Sequence, residues 1–121
     1  MSDIYCFGLV ATGVIHRLKD RFPTADGYGE ILETLENHTG EAAAGAIVLA
    51  RLGAGVALEG NWIGDNPACR RTLEFLRERG IDCSGLRVQP GYQGGYEITF
   101  SDGETRTAFG RYTDLLFSTP Q

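Results

Sequence analysis

Thr39-Gly40-Glu41-Ala42-Ala43-Ala44-Gly45-Ala46-Ile47-Val48-Leu49-Ala50-Arg51-Leu52-Gly53 is the stretch that decides the fold. From Glu41 to Leu52 the residues are small and apolar on nearly every side, a pattern for a helix packed closely on a sheet rather than lying in solvent. Gly53 supplies the stop. Upstream, Ile4-Tyr5-Cys6-Phe7-Gly8-Leu9-Val10 is a short apolar run rich in strand formers, which reads as a buried strand at the centre of a parallel sheet.

Downstream, Val56-Ala57-Leu58 reads as a second short strand, and Gly64-Asp65-Asn66-Pro67 opens a second helix. Asp65 or Asn66 can accept from the first free N–H groups, Pro67 suits the first turn and Gly80 closes the end. Cys69, Leu73 and Leu76 form one apolar stripe, and Arg70, Arg71, Glu74, Arg77, Glu78 and Arg79 form the wet side. With Leu86-Arg87-Val88 as a third strand, the β-α-β-α-β order predicts a partial doubly wound α/β fold with right-handed crossovers.

Two segments fall outside that layer, Pro23 to His38 and Gly94 to Phe109. In the second, Asp102-Gly103 is a strong two-residue hairpin turn between alternating strands. That loop would set Phe100 opposite Thr105 and Tyr96 opposite Phe109, with Tyr96, Ile98, Phe100 and Phe109 on one face and Glu97, Thr99 and Arg106 on the other. A lone hairpin is marginal, so its apolar face needs a partner, and a second copy of the same element is a natural candidate. In the first segment, Glu30 to Glu36 has strong helix formers, yet Ile31, Glu33 and Leu35 also alternate as a strand would.

The 121 residues suit one domain with its own core. A formal charge of −5 argues against a nucleic-acid or anionic-membrane surface. No apolar run reaches the roughly 20 residues of a membrane span, and no signal peptide pattern stands at the start, so the expected location is the cytoplasm. Cys6, Cys69 and Cys83 are odd in number and lack C-x-x-C spacing, which reads as reduced, structural thiols. His16 and His38 alone give a metal site no support. Gly8-Leu9-Val10-Ala11-Thr12-Gly13 lacks the spacing of a dinucleotide-binding turn, and Gly53-Ala54-Gly55 precedes a strand instead of opening a helix, so it reads as a plain turn.

Taken in order, Phe22-Pro23-Thr24, the Gly40 to Gly53 helix, Gly64-Asp65-Asn66-Pro67, Arg79-Gly80-Ile81-Asp82 and Asp102-Gly103-Glu104 resemble the N-terminal portion of the ribokinase-like, phosphofructokinase B-type carbohydrate kinases. The resemblance implies a kinase core, about residues 1–20 and 40–90, with a small β lid, about 22–39 and 92–110, that closes over a sugar or sugar-like alcohol and joins two copies as a homodimer. It turns the reading of Glu30 to Glu36 from helix to strand. It implies ATP and Mg²⁺ as cofactors, with the catalytic aspartate and nucleotide site beyond this chain.

The resemblance also places candidate substrate contacts at Gly13, Thr39, Gly40, Glu41, Ala44, Asn61 and Arg106. Gly13 stands where the family has an acidic residue, Thr39-Gly40 where it has a double glycine, and Ala44 where it has an asparagine. Glu41, Asn61, His16 and Arg106 are the polar groups left near the expected substrate face. Two functions therefore remain open. One is the substrate and lid part of an ATP-dependent sugar kinase, inactive by itself, and the other is a non-catalytic ligand-binding or dimerisation module.

Overall fold

The computed structural model describes residues 2–112. Residues 113–121, counted in the single domain above, lie outside the described residues. The elements run β1 (Ile4–Gly8), β2 (Ala11–Leu18), β3 (Ile31–Thr39), α1 (Glu41–Arg51), β4 (Val56–Gly60), β5 (Ile63–Gly64), α2 (Pro67–Glu78), β6 (Val88–Gln89), β7 (Gly95–Ser101) and β8 (Arg106–Arg111).

The core layer forms because α1 is nearly side-chain-free on its inner face. Ala43 and Ala46 are fully buried, which lets the helix lie close on the parallel pair β1 and β4. Its start is capped by backbone: the Leu9 carbonyl accepts from the N–H groups of Ala42 and Ala43 at 3.2 and 3.4 Å. Its end is a glycine turn, with Gly53 at φ 93° and the Ala54 N–H bonded back to the Leu49 carbonyl. In α2 the Asn66 carboxamide is the cap, accepting from the Cys69 N–H at 2.9 Å, and Pro67 follows at the first position. Leu76 is fully buried, Cys69, Leu73 and Thr72 nearly so. The Cys69 and Cys83 thiols are free and buried, and burial pushes both pKa values up, so they stay protonated.

Two core expectations change. β1 is not buried on both faces: Cys6 packs against the core, while Tyr5 and Phe7, which alternate to the other face, remain 57% and 43% exposed. The segment beside β4 is also not Leu86 to Val88. Gly80 turns the chain straight back, and Asp82 bridges to β4 through Leu58 N–H to its carbonyl and its own N–H to the Val56 carbonyl, both 2.9 Å. Val88 and Gln89 pair instead with Ile63 and Gly64 of β5.

The second layer is a four-stranded sheet of order β3-β2-β7-β8. Residues 11–18, grouped with the core on sequence, are its second strand, antiparallel to β3 and parallel to β7. Residues 31–39 are strand, as the resemblance implied and helix propensity did not. The β7–β8 hairpin pairs with β2 along the β7 edge, while Phe109 on its apolar face stays 56% exposed. Its register is shifted by two from the expectation, with Ser101 opposite Arg106 and Ile98 opposite Phe109. A shift of two keeps every side chain on its expected face.

Asp102 causes the longer loop. Its carboxylate, 1% exposed, accepts from the N–H groups of Phe22, Thr105 and Glu104 at 2.9, 2.7 and 3.0 Å and from the Arg21 guanidinium at 3.2 Å. The Phe22 N–H above all, then those of Thr105 and Glu104, holds this carboxyl well below the usual carboxylate range. A depressed folded pKa contributes stability that is complete above the unfolded value of about 3.9 and is lost as pH falls below it. The urea midpoint should therefore drop between about pH 5 and pH 2, and Asp102→Asn should start lower and show a smaller drop. An unchanged acid limb in that variant would remove Asp102 from the account.

Among the described residues no helix is long and apolar enough to cross a membrane.

Candidate functional site

Ligands of open α/β sheets bind beyond the carboxyl ends of the strands. Here those ends are Gly8 of β1 and Gly60 of β4, and they lie so close that a Cβ on Gly60 would stand 1.9 Å from the Gly8 carbonyl oxygen. The chain crosses there from one layer to the other through Leu9 and Val10. Asn61 fixes the crossing: fully buried, its Oδ1 accepts from the Val10 N–H at 2.7 Å, and its Nδ2 donates to the carbonyls of Val10 and Trp62 at 2.8 and 3.1 Å. Every hydrogen-bonding direction of that amide but one acceptor lone pair is thereby used.

Gly40 belongs to the same junction. Its φ is 101°, and a Cβ there would lie 2.2 Å from the Leu9 oxygen that caps α1. Glu41 follows as the exposed first residue of α1, its carboxylate 3.4 Å from where a Gly8 Cβ would sit. Thr39 ends β3 opposite Ala11. Gly13 lies two residues into β2, where a Cβ would stand 1.9 Å from the Glu97 carbonyl oxygen of β7. Glycine at 13 is therefore required by the β2–β7 approach, whatever an acid there would have done.

Gly13, Thr39, Gly40, Glu41 and Asn61 thus meet around one crossing. Ala44 is exposed, one turn into α1. Arg106 is not with them: it pairs with Ser101, four residues from the row of Gly110 and Glu97, or about 13 Å along the strand. His16 is also elsewhere, on the opposite sheet face, with Nδ1 2.8 Å from the Thr34 hydroxyl and its ring 5.3 Å from that of Phe100.

Two polar residues that sequence reasoning did not select stand beside Gly13. Glu97 is directly across on β7, and Asn37 directly across on β3. The Glu97 carboxylate accepts from the Thr99 hydroxyl at 3.2 Å and the Tyr112 hydroxyl at 2.9 Å. Burial, then the bond to Glu97, pushes the Tyr112 phenol up to about 12. Alternation had put Glu97 and Thr99 on the face opposite the hairpin's apolar side chains, but no local signal in either segment announces that β2 and β7 pair.

A cleft of about 620 Å³ lies on the other face, between α2 and the sheet. Thr12, Asn66, Tyr96, Arg71 and Arg111 line it, with Arg71 paired to Glu36 and Arg111 bonded to Gln93.

No family profile matches the sequence, and no curated protein matches it. Solved structures do. A protein provisionally described as a ribokinase from Agrobacterium tumefaciens superposes with a TM-score of 0.80 at 28% identity, over 90% of this chain and 35% of that one. The fold is that of the ribokinase-like carbohydrate kinases. A nucleoside kinase of this family from Methanocaldococcus jannaschii superposes at 0.75 with 21% identity, over 92% of this chain and 37% of its own. The Arabidopsis thaliana ribokinase complexed with ribose and ATP also superposes at 0.75, with 13% identity, over 91% of this chain and 36% of its own. These last two likenesses speak for the fold alone. The chain spans about a third of the length of the ribokinase-like structures it matches, consistent with their N-terminal portion.

Proposed function

We propose that this chain is the acceptor-binding and lid portion of an ATP-dependent carbohydrate kinase-like protein, whose substrate is a sugar or related alcohol. The observation that carries the reading is the junction at Gly8, Gly40, Gly60 and Asn61, which sets the β3-β2-β7-β8 sheet at the carboxyl ends of β1 and β4, together with the 28% identical ribokinase-like neighbour of the same architecture. In that reading Gly13, Thr39, Gly40 and Glu41 border the acceptor, the sheet is its lid, and the lid strands of two copies form a homodimer in the cytoplasm.

ATP and Mg²⁺ are the cofactors the reading requires, but the described residues do not fit the nucleotide. Gly53-Ala54-Gly55 closes α1 at its carboxyl end, where carbonyls rather than N–H groups are unpaired and a phosphate is repelled. Phosphoryl transfer therefore needs residues supplied from outside 2–112. The test is the reading frame beyond the codon for Gln121. A continuing frame with a Gly-x-Gly-Asp segment supports the kinase reading.

The close approach at Gly13 favours the second reading, a ligand-binding or dimerisation module of the same fold, since it excludes an acidic side chain at that position. A stop codon after Gln121 together with a monodisperse dimer in sedimentation would select it.

A further inference from the structure

Across the sheet, one row of paired residues reads Asn37, Gly13, Glu97, Gly110 in the strand order β3-β2-β7-β8. The next row towards the junction contains Ala11 and Gly95, and the next row outwards contains Ile15, Thr99 and Ala108. Glycines thus flank a single carboxylate within its row and small residues adjoin it on the junction side, with an amide two strands away. Two inter-strand spacings are about 9.6 Å, a span that a ring sugar with its hydroxyls bridges.

The carboxylate is fixed before any ligand arrives. Thr99 and Tyr112 each donate to a different Glu97 oxygen, and Gly110 makes room for the Tyr112 ring, which a Cβ there would meet at 2.6 Å. An ionised carboxylate offers about four lone-pair directions, and among the described residues these two bonds leave the others open to hydroxyl donors. Gly13, on the other side of Glu97, carries no side chain to cover them. A half-buried, oriented carboxylate over a glycine floor binds hydroxyl groups through charge-assisted bonds at little cost in reorganisation.

We propose that Glu97, with Asn37 across the Gly13 floor, is the hydroxyl-binding pair of this chain, so that the acid for the acceptor comes from β7 and not from position 13. This rests on the acceptor reading above and adds to it the group that recognises a polyhydroxylated ligand. It also assigns Thr99 and Tyr112 as positioning residues, acting through Glu97.

The test is amide NMR on the ¹⁵N-labelled 121-residue chain titrated separately with D-ribose and D-fructose. Shifts centred on Gly13, Asn37, Glu97 and Gly110 are expected, and Glu97→Gln should bind about tenfold more weakly, the loss of one charge-assisted bond. The variant's amide oxygen keeps one of the two hydroxyl donors, and its NH₂ group can donate to the other hydroxyl oxygen once that hydroxyl rotates, so its thermal midpoint should stay close to wild type. Wild-type affinity in Glu97→Gln, or shifts centred on Thr12, Asn66 and Tyr96 of the opposite cleft, would overturn the assignment and leave the acceptor reading standing. No response to either sugar would overturn both.

Discussion

Asn61→Ala should lower the unfolding free energy by about 3–5 kcal/mol, because it strands the buried Val10 N–H and C=O together and opens a small cavity. That is a large share of the roughly 5–15 kcal/mol available to a domain of this size. Asn61→Asp separates the two halves of the bond pair. It can still accept from the Val10 N–H, but it cannot donate to the Val10 carbonyl and it buries a charge, so it should be nearly as damaging. Urea unfolding followed by circular dichroism reads both. A loss below about 1 kcal/mol in the alanine variant would mean that water replaces the amide and that the crossing is not held as described.

The second large effect is at Gly13. Gly13→Ala places a Cβ 1.9 Å from the Glu97 carbonyl, and the obstacle is backbone, so the two strands must separate. A cost of about 3 kcal/mol or more is expected, beyond ordinary overpacking because no side chain can rotate away. Hydrogen exchange gives the specific readout: protection should fall across the β2–β7 ladder and persist across β1–β4, which belong to another sheet. Gly13→Asp should behave the same way, so restoring the acid that the resemblance leads one to expect would open the sheet rather than build a binding site. Uniform loss of protection, or none, would contradict the close approach.

The core layer was legible because its signals are local. Helix α1 announces itself by composition, and α2 by Asn66, Pro67 and Gly80 at its ends. The hairpin was legible in its faces but not its register. Asx-type bonding by the Asp102 carboxylate to the following N–H groups, with the Phe22 N–H arriving from a distant segment, lengthens the loop beyond the Asp-Gly turn. Strand β3 needed the family resemblance, since Glu30 to Glu36 favours helix and only pairing with β2 overrides that preference.

The candidate site was half legible for the same reason. Gly13, Gly40 and Glu41 were singled out, yet two of the three matter in the structure for the side chain they lack. Asn61 was picked as a polar group for a ligand and is instead spent on backbone. Glu97 went unselected because its significance comes from the parallel pairing of β2 with β7, a contact 84 residues apart at Gly13 and Glu97 that leaves no trace in either segment alone.

The central claim is that these residues hold an acceptor site without phosphoryl-transfer chemistry. The most direct measurement is ADP formation by the pure 121-residue chain given ATP, Mg²⁺ and D-ribose or D-fructose. No ADP above the protein-free control is predicted. Sugar-dependent ADP formation that rises in proportion to the chain's concentration would contradict the account.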